Sequence, residues 1–303
     1  MLVARTLWLL ASLSLIAVAP AVSGCTPPPA AKIAAPVVKG YDGGVLRFTP
    51  GPQGKLHYLD CGEGGTPVVF VHGLAGNYAI WLEQVRHLCN SSRRIVAIEL
   101  HGYGQSEPSK TGDYSIDSFA ADVAALADTL KLEPFVIAGH SMGGAVVGDY
   151  AGKHPERVKG LLLVDAVGDL SRLSAKDKDD FVGGFRGDHF EAERDAFFTK
   201  MLEPAPASVR QLVMDGVRAA TREVIVKSLE GMTAYDPIPA LTRYPGPKLA
   251  VFSDENDDGT SLHRMLPDLP GKKMPNVSHW VMLDNPAAFN VVLDQFLIST
   301  VTP

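Results

Sequence analysis

The chain has 303 residues, of which 46% are hydrophobic and 20% are charged, so it can bury one substantial core, and its length allows one or two domains. A formal net charge of −6 leaves no basic surplus to follow a phosphate backbone, which argues against nucleic acid as a partner. We find no internal repeat, zinc-type Cys/His spacing, HExxH sequence or Walker-type phosphate loop.

The first 25 residues have the features of an export signal. The stretch MLVARTLWLLASLSLIAVAPAVSGC carries one positive charge, Arg5, followed by an uncharged apolar run that Pro20 interrupts. A run this short, ending in small residues, predicts a secretory signal peptide over residues 1–24 rather than a membrane-spanning helix. Residues 22–25 resemble the lipobox of bacterial lipoproteins, in which the signal is cut before a cysteine, here Cys25, that is then lipidated. The alternative is an ordinary signal peptide with an incidental cysteine.

Residues 25–40 are rich in proline and alanine, which predicts an extended tether. A lipid anchor and a spacer together predict a protein of the bacterial cell envelope that is held to a membrane and faces the periplasm or the exterior. Export would place Cys61 and Cys89 in an oxidising compartment, where they could form a disulfide. Two buried free thiols are equally consistent with the sequence.

From residue 41 onward, strand patterns alternate with helix patterns. The predicted strands are VLRFTP and KLHYLDCG, which form a hairpin of exposed strands, and then TPVVFVHGL, RRIVAIELHG, FVIAG, VKGLLLVDA, KLAVFSD and KKMPNVSH. The predicted helices are IWLEQVRHLC, SIDSFAADVAALADTLKL, GAVVGDYAGKH and AAFNVVLDQFLIS. This alternation predicts an α/β fold with a mostly parallel central sheet flanked by helices, built from residues 41–168 and 241–303.

Residues 169–240 interrupt the alternation. They begin with the charged stretch SAKDKDD and continue as a helical pattern, VRQLVMDGVRAATREVIVKSL, without clear strands. A helical insertion between two strands of a parallel sheet predicts a cap over the carboxyl edge of that sheet. The alternative is a set of extra helices packed on the outside.

Ser141 is the predicted nucleophile. It lies in GHSMG, residues 139–143, a G-x-S-x-G sequence that follows a buried strand and precedes a helix. The serine of such a turn has a positive φ, and its neighbours approach so closely that side chains would clash, which explains the glycines. The alternative is a tight structural turn.

A serine hydroxyl needs a base, and among nine histidines His279 is the best candidate, because it follows the last strand and precedes the final helix. The base in turn needs an acid. The segment after KLAVF supplies several aspartates, and the spacing from the strand end favours Asp257. Asp165, at the end of LLLVDA, and Asp254 are the alternatives.

Two main-chain amides are expected to stabilise the oxyanion. One is the N–H of Met142, directly after the nucleophile, with the positive end of the following helix behind it. The other is the N–H of Leu74, in the His72-Gly73-Leu74 turn after PVVFV.

The motifs FVHGLAGNYAIW, HGYGQS, GHSMGG and SHWVMLDNPAAF resemble those of the α/β-hydrolase fold family, and the resemblance covers residues 41 to about 300. It implies a Ser-His-acid triad, no metal, no cofactor, and a helical cap that shapes the substrate pocket. Members of that family usually have a glycine, two residues and an aspartate after the strand before the histidine. This chain has Ser253, Asp254, Glu255 and Asn256 there, which puts Asn256 at the usual acid position.

These features predict a serine hydrolase that cleaves an ester or related acyl bond of a small, hydrophobic substrate through an acyl-enzyme. Acyl transfer to another acceptor or cofactor-free perhydrolysis on the same triad are alternatives, because the fold does not determine the reaction. A non-catalytic binding protein on a hydrolase scaffold is a third. The sequence indicates no oligomeric state.

Overall fold

A computed structural model of the chain describes residues 44–300, with the exception of residues 90 and 133. The predicted signal peptide (1–24), the predicted lipidation site Cys25 and the predicted tether (25–40) lie outside the described residues. Within residues 44–300, no helix combines the length and the apolar character that crossing a bilayer requires.

The centre of the described chain is an eight-stranded sheet. Its strands are β1 (Gly44–Pro50), β2 (Lys55–Cys61), β3 (Val68–Val71), β4 (Ile95–Ile98), β5 (Phe135–His140), β6 (Val158–Val164), β7 (Lys248–Phe252) and β8 (Gly271–Lys273). They lie in the order β1-β2-β4-β3-β5-β6-β7-β8. The β1–β2 and β2–β4 pairs are antiparallel, and every other pair is parallel. The predicted fold class, a mostly parallel sheet with flanking helices, is confirmed.

The middle strands are buried from end to end. All residues of β3, β4 and β5 are buried, and their sequences VVFV, IVAI and FVIAGH are apolar almost throughout, as expected for strands covered by helices on both faces. The predicted hairpin is present as β1 and β2, but the prediction that both strands are exposed is wrong for β2. That strand pairs with β4 as well as β1, so it lies inside the sheet and most of it is buried.

The helices lie between and after these strands. They are α1 (Leu82–Leu88), α2 (Ile116–Leu130), α3 (Met142–Lys153), α4 (Ala175–Arg186), α5 (Phe190–Met201), α6 (Ala207–Ala219), α7 (Arg222–Ala234), α8 (Ile238–Arg243), α9 (Leu262–Met265), α10 (Val281–Asp284) and α11 (Pro286–Ser299). Short 3₁₀ helices span Tyr78–Trp81, Pro155–Arg157 and Leu170–Arg172. Ser115 caps α2, because its side chain accepts a hydrogen bond from the N–H of Ser118.

Helices α4 to α8, which we call the helical segment, connect β6 to β7. The charged stretch forms helix α4, capped by Ser174, and the long helical pattern forms two helices, because Thr221 caps a new helix there. Helix α6 lies against the loop that follows β3: a Cβ added to Gly216 would lie 3.3 Å from the carbonyl oxygen of Ala75. The predicted boundaries of a cap, 169 and 240, enclose most of these helices.

The last predicted strand, KKMPNVSH, is mostly a loop. Only Gly271–Lys273 pairs with β7, and the chain then turns through Pro275 and Asn276, whose φ is +57°. Proline cannot donate to a strand ladder, and a left-handed residue ends an extended segment. The turn leads directly to His279.

Cys61 and Cys89 form a disulfide, with their Cα atoms 5.6 Å apart. This bond joins the end of β2 to the residue that follows α1, and it answers the question that the sequence left open.

Candidate active site

Ser141 occupies a sharp turn between β5 and α3. Its φ and ψ are +54° and −121°, a strained conformation for a residue with a side chain, as predicted for the nucleophile of such a turn. Glycine is required on both sides of it. A Cβ on Gly139 would lie 2.2 Å from the carbonyl oxygen of Gly143, and one on Gly143 would lie 2.4 Å from that of His72. Close backbone approach therefore maintains the turn.

The loop after β3 lies directly beside this turn. A Cβ added to Gly73 would lie only 2.8 Å from Cβ of Ser141, so Leu74, the next residue, is close to the serine. The His72 ring holds the loop: Nδ1 donates to the carbonyl oxygen of Gly73 (2.8 Å), and Nε2 accepts from the N–H of Leu100 (3.1 Å). Burial lowers the pKa of His72, which keeps the ring in this neutral form.

Met142 is the first residue of α3, so its N–H belongs to the unpaired amides at the positive end of a twelve-residue helix. The two residues predicted to stabilise an oxyanion, Leu74 and Met142, thus both lie close to Ser141. Amides in this arrangement suit a negative oxygen that forms next to the serine.

His279 is hydrogen-bonded at three of its polar atoms. Its Nδ1 lies 2.7 Å from Oδ2 of Asp165, its N–H donates to the carbonyl oxygen of Met201 (3.2 Å), and its own carbonyl oxygen accepts from Nε2 of His140 (2.9 Å). Its fourth, Nε2, is buried and has no partner among the described residues. Because a carboxylate only accepts, Nδ1 carries the proton and Nε2 presents a lone pair, as a general base requires.

No hydrogen bond joins Ser141 Oγ to His279 Nε2 in the described part of the chain. Such bonds are often long in unliganded enzymes and shorten when substrate binds. What brings the two residues together is the bond from His140, the residue before Ser141, to the main chain of His279.

The carboxylate beside His279 belongs to Asp165, the alternative acid, rather than to Asp257. Asp165 is 1% exposed and follows β6 with a φ of +42°, a second strained residue at this site. Ser253 donates to it twice, from its N–H (2.7 Å) and from its hydroxyl (3.1 Å). Asn256, at the usual acid position, donates to Asp165 from its amide (3.4 Å). The segment after β7 therefore supports an acid that comes from β6.

The preferred acid of the sequence prediction, Asp257, is paired elsewhere. Its Oδ1 accepts hydrogen bonds from Arg264 (2.7 Å) and His263 (3.1 Å), which hold its pKa down at about 2. Asp254, the other alternative, pairs with Lys273 at 2.8 Å. Cationic neighbours thus draw both carboxylates away from His279, and the geometry corrects the prediction in favour of Asp165.

A histidine next to a carboxylate is not by itself a sign of catalysis in this chain. Other pairs are His57–Glu99 (2.8 Å), His101–Asp122 (2.7 Å), His87–Asp294 (2.9 Å) and His263–Asp257 (3.1 Å). What distinguishes the region around Ser141 is the unused hydrogen-bonding capacity of its histidines. Across the described residues, the buried histidine ring nitrogens without a partner are Nε2 of His279 and Nδ1 of His140, and both residues lie at or beside this turn.

A cavity lies between the loop after β3 and helix α6. It is lined mainly by apolar side chains, together with Asn77, His140 and glycine backbone: Leu74, Ala75, Ile80, Leu212, Val213, Val217 and Trp280. The sequence analysis identified the loop and the turn but not the contribution of α6, which no motif marks. Within residues 44–300, no group of three or more His, Cys, Asp and Glu side chains is arranged to bind a metal ion.

A family model described as alpha/beta hydrolase fold matches residues 66–286. The dihydrolipoyllysine-residue acetyltransferase component of the acetoin cleaving system of Pseudomonas putida is 31% identical over 250 residues, which cover 78% of this chain and 64% of that protein. A non-heme chloroperoxidase of Streptomyces lividans is 39% identical over 115 residues, or 37% of this chain and 41% of that protein. The matches thus span less than two thirds of these curated relatives.

Among solved structures, an esterase from Thermogutta terrifontis is similar, with a TM-score of 0.71 and 22% identity over 86% of this chain and 99% of that one. Its identity is low, so this similarity supports the fold alone.

The close packing of the turn around Ser141 yields a stability prediction. We expect Gly143→Ala to lower the free energy of unfolding by about 1–3 kcal/mol, because its Cβ would collide with the backbone of the loop after β3. Equilibrium unfolding in urea measures the change.

The matched control is Gly183→Ala in α4, where an added Cβ meets no atom within 4 Å. This variant should gain about 0.5–1 kcal/mol from the higher helix propensity of alanine. If Gly143→Ala were as stable as Gly183→Ala, the backbone approach would not be as tight as described.

Proposed function

Because this chain belongs to the α/β-hydrolase fold family, we propose that it is a serine hydrolase that cleaves an ester or related acyl bond of a small, hydrophobic substrate. The observation that carries the proposal is the state of His279. One ring nitrogen is bonded to a buried carboxylate, and the other is buried without a partner beside the strained turn of Ser141. This arrangement prepares a base for a serine hydroxyl.

In the proposed reaction, Ser141 Oγ attacks the carbonyl carbon while His279 Nε2 takes the hydroxyl proton. The Asp165 carboxylate stabilises the resulting imidazolium through Nδ1, and the N–H groups of Met142 and Leu74 donate to the oxyanion. The intermediate then collapses: the bond to the leaving group breaks, and His279 passes the proton to it. Water, deprotonated by His279, attacks the acyl-enzyme in the same way, and the acid product and free Ser141 are released.

The apolar cavity supports a hydrophobic substrate, because side chains such as Leu212, Val213 and Trp280 offer no charged partner. Transfer of the acyl group to an alcohol or to hydrogen peroxide would use the same acyl-enzyme. These two acceptors are alternatives to water, because the curated relatives include an acetyltransferase component and a chloroperoxidase.

We also propose that the chain is exported and lipidated at Cys25. The Cys61–Cys89 disulfide supports export, because such bonds persist mainly in oxidising compartments.

A fluorophosphonate probe tests the nucleophile. We expect stoichiometric labelling at Ser141 and none in Ser141→Ala, because only an activated serine hydroxyl attacks the probe. Mass spectrometry of the labelled peptide gives the site and the extent of modification. Ser228→Ala, at another buried serine, in α7, should label like the wild type. A folded wild-type protein that takes up no probe would instead indicate a binding protein on a hydrolase scaffold.

Replacing the acid candidates separately tests the triad. We expect Asp165→Asn to lower kcat by on the order of 10⁴, because His279 then loses the group that sets its tautomer and stabilises its charged form. Asp257→Asn should keep near wild-type turnover. Steady-state hydrolysis of a p-nitrophenyl ester measures both, and circular dichroism confirms that each variant is folded. The opposite ranking of the two variants would restore Asp257 as the acid.

Fractionation of bacteria that express the full chain tests the anchor. We expect wild-type protein in the membrane fraction, extractable only with detergent, since an acyl chain adds about 0.8 kcal/mol of membrane affinity per buried CH₂. A Cys25→Ala chain should be found mainly outside that fraction. Equal membrane association of the two chains would mean that Cys25 is not the attachment site.

A further inference from the structure

His140, the residue before Ser141, has a defined protonation state. Its Nε2 lies 2.9 Å from the carbonyl oxygen of His279, and a carbonyl oxygen can only accept, so Nε2 carries a proton. Burial, followed by the nearby His279, lowers the pKa of His140 well below its ordinary value, so the ring is neutral. Its Nδ1 therefore carries a lone pair and can only accept a hydrogen bond.

This lone pair has no donor within the described residues. The side chain is 1% exposed, and Nδ1 is among the buried atoms without a hydrogen-bond partner. A buried acceptor without a donor is costly, so this atom in a native fold requires a partner such as a bound group or a water. A rotation of the ring would not relieve it, because the ring would then lose the bond to His279.

The acceptor is close to the position where acyl chemistry would occur. A Cβ placed on Gly73 would lie 3.0 Å from Nδ1 of His140 and 2.8 Å from Cβ of Ser141, so this one point lies near both side chains. A carbonyl carbon about to be attacked lies roughly 3–3.5 Å from the serine oxygen. A group that donates to Nδ1 would therefore lie beside the serine, in the region that the acyl group of a substrate would occupy.

The surroundings define what kind of donor fits. His140 lines the cavity between the loop after β3 and helix α6, whose other lining residues carry no charge. An ammonium group would be desolvated there without a counter-ion, which is unfavourable. A neutral O–H or N–H is compatible with the uncharged lining, and the apolar side chains of this lining favour contact with an alkyl or aryl group.

We propose that His140 Nδ1 is a specificity-determining acceptor that binds a neutral O–H or N–H on the carbon next to the carbonyl attacked by Ser141. Acyl groups with a 2-hydroxyl or 2-acylamino substituent are then the preferred substrates. This inference rests on the proposed hydrolase function and adds a substrate class to it.

Paired esters test the subsite. Phenyl esters of 2-hydroxyhexanoate and 2-methoxyhexanoate have similar inductive effects, but only the first has a donor. The 2-acetamido and 2-(N-methylacetamido) esters form the same comparison for N–H. We expect kcat/KM of the wild-type enzyme to favour the donor of at least one pair by about tenfold, the effect of one net hydrogen bond.

Two variants of His140 separate its two nitrogens. Glutamine places an amide N–H near the position of Nε2 and no acceptor at Nδ1. His140→Gln should therefore lower the ratio of kcat/KM, donor ester over methylated ester, to about one. Asparagine places its amide oxygen near Nδ1 and cannot reach His279, so His140→Asn should keep the ratio while turnover of all the esters falls. Because the readout is a ratio within one variant, general losses of activity cancel.

The outcomes distinguish a failure of the His140 subsite proposal from a failure of the serine hydrolase proposal. If wild-type enzyme hydrolyses phenyl hexanoate but shows ratios near one for both pairs, as it would if an ordered water satisfied Nδ1, the subsite is overturned and the hydrolase stands. Retention of the wild-type ratio in His140→Gln also overturns it. No hydrolysis of any ester, together with no fluorophosphonate labelling of Ser141, would overturn the hydrolase proposal and the subsite with it.

Discussion

The hydrogen bond between His279 Nδ1 and Asp165 is the interaction on which the site depends. It holds the proton on Nδ1, so Nε2 becomes the acceptor that a serine hydroxyl needs. The bond is reinforced through the backbone of His279, whose N–H is bound by the end of α5 and whose carbonyl oxygen is bound by His140. The imidazole is thus attached to β6, to the helical segment and to the turn around Ser141 at once, and movement of any of these would displace it.

The position of the acid shows how a parallel sheet can exchange functional residues between strands. β6 and β7 are neighbours, with Val164 opposite Val251, so the residues that follow them emerge side by side. A carboxylate at the end of β6 can therefore reach the same histidine as one from the loop after β7. Here Ser253 and Asn256 from that loop donate hydrogen bonds to Asp165. A carboxylate from the end of β6 thus lies beside His279, and residues from the loop after β7 support it.

The parts of this arrangement that the sequence predicted are local. The strands, the turn at Ser141 and the position of His279 follow from apolar runs, glycine spacing and chain order, each visible within a dozen residues. The aspartate that lies beside His279 was mispredicted because the choice among Asp165, Asp254 and Asp257 depends on which partner each one meets, and the partners Arg264 and Lys273 are recognisable only in three dimensions. The unpaired Nδ1 of His140 and the contribution of α6 to the cavity were equally inaccessible, since both arise where distant segments meet.

A crystal structure of the protein phosphonylated at Ser141 would test the central claim most directly. The account predicts the phosphonyl oxygen within about 2.7–3.1 Å of the amides of Met142 and Leu74. It also predicts His279 Nε2 within about 2.6–3.2 Å of Ser141 Oγ, with Nδ1 still bound to Asp165. A ring of His279 turned away from the adduct, or bonded through Nδ1 to a carboxylate other than Asp165, would contradict it.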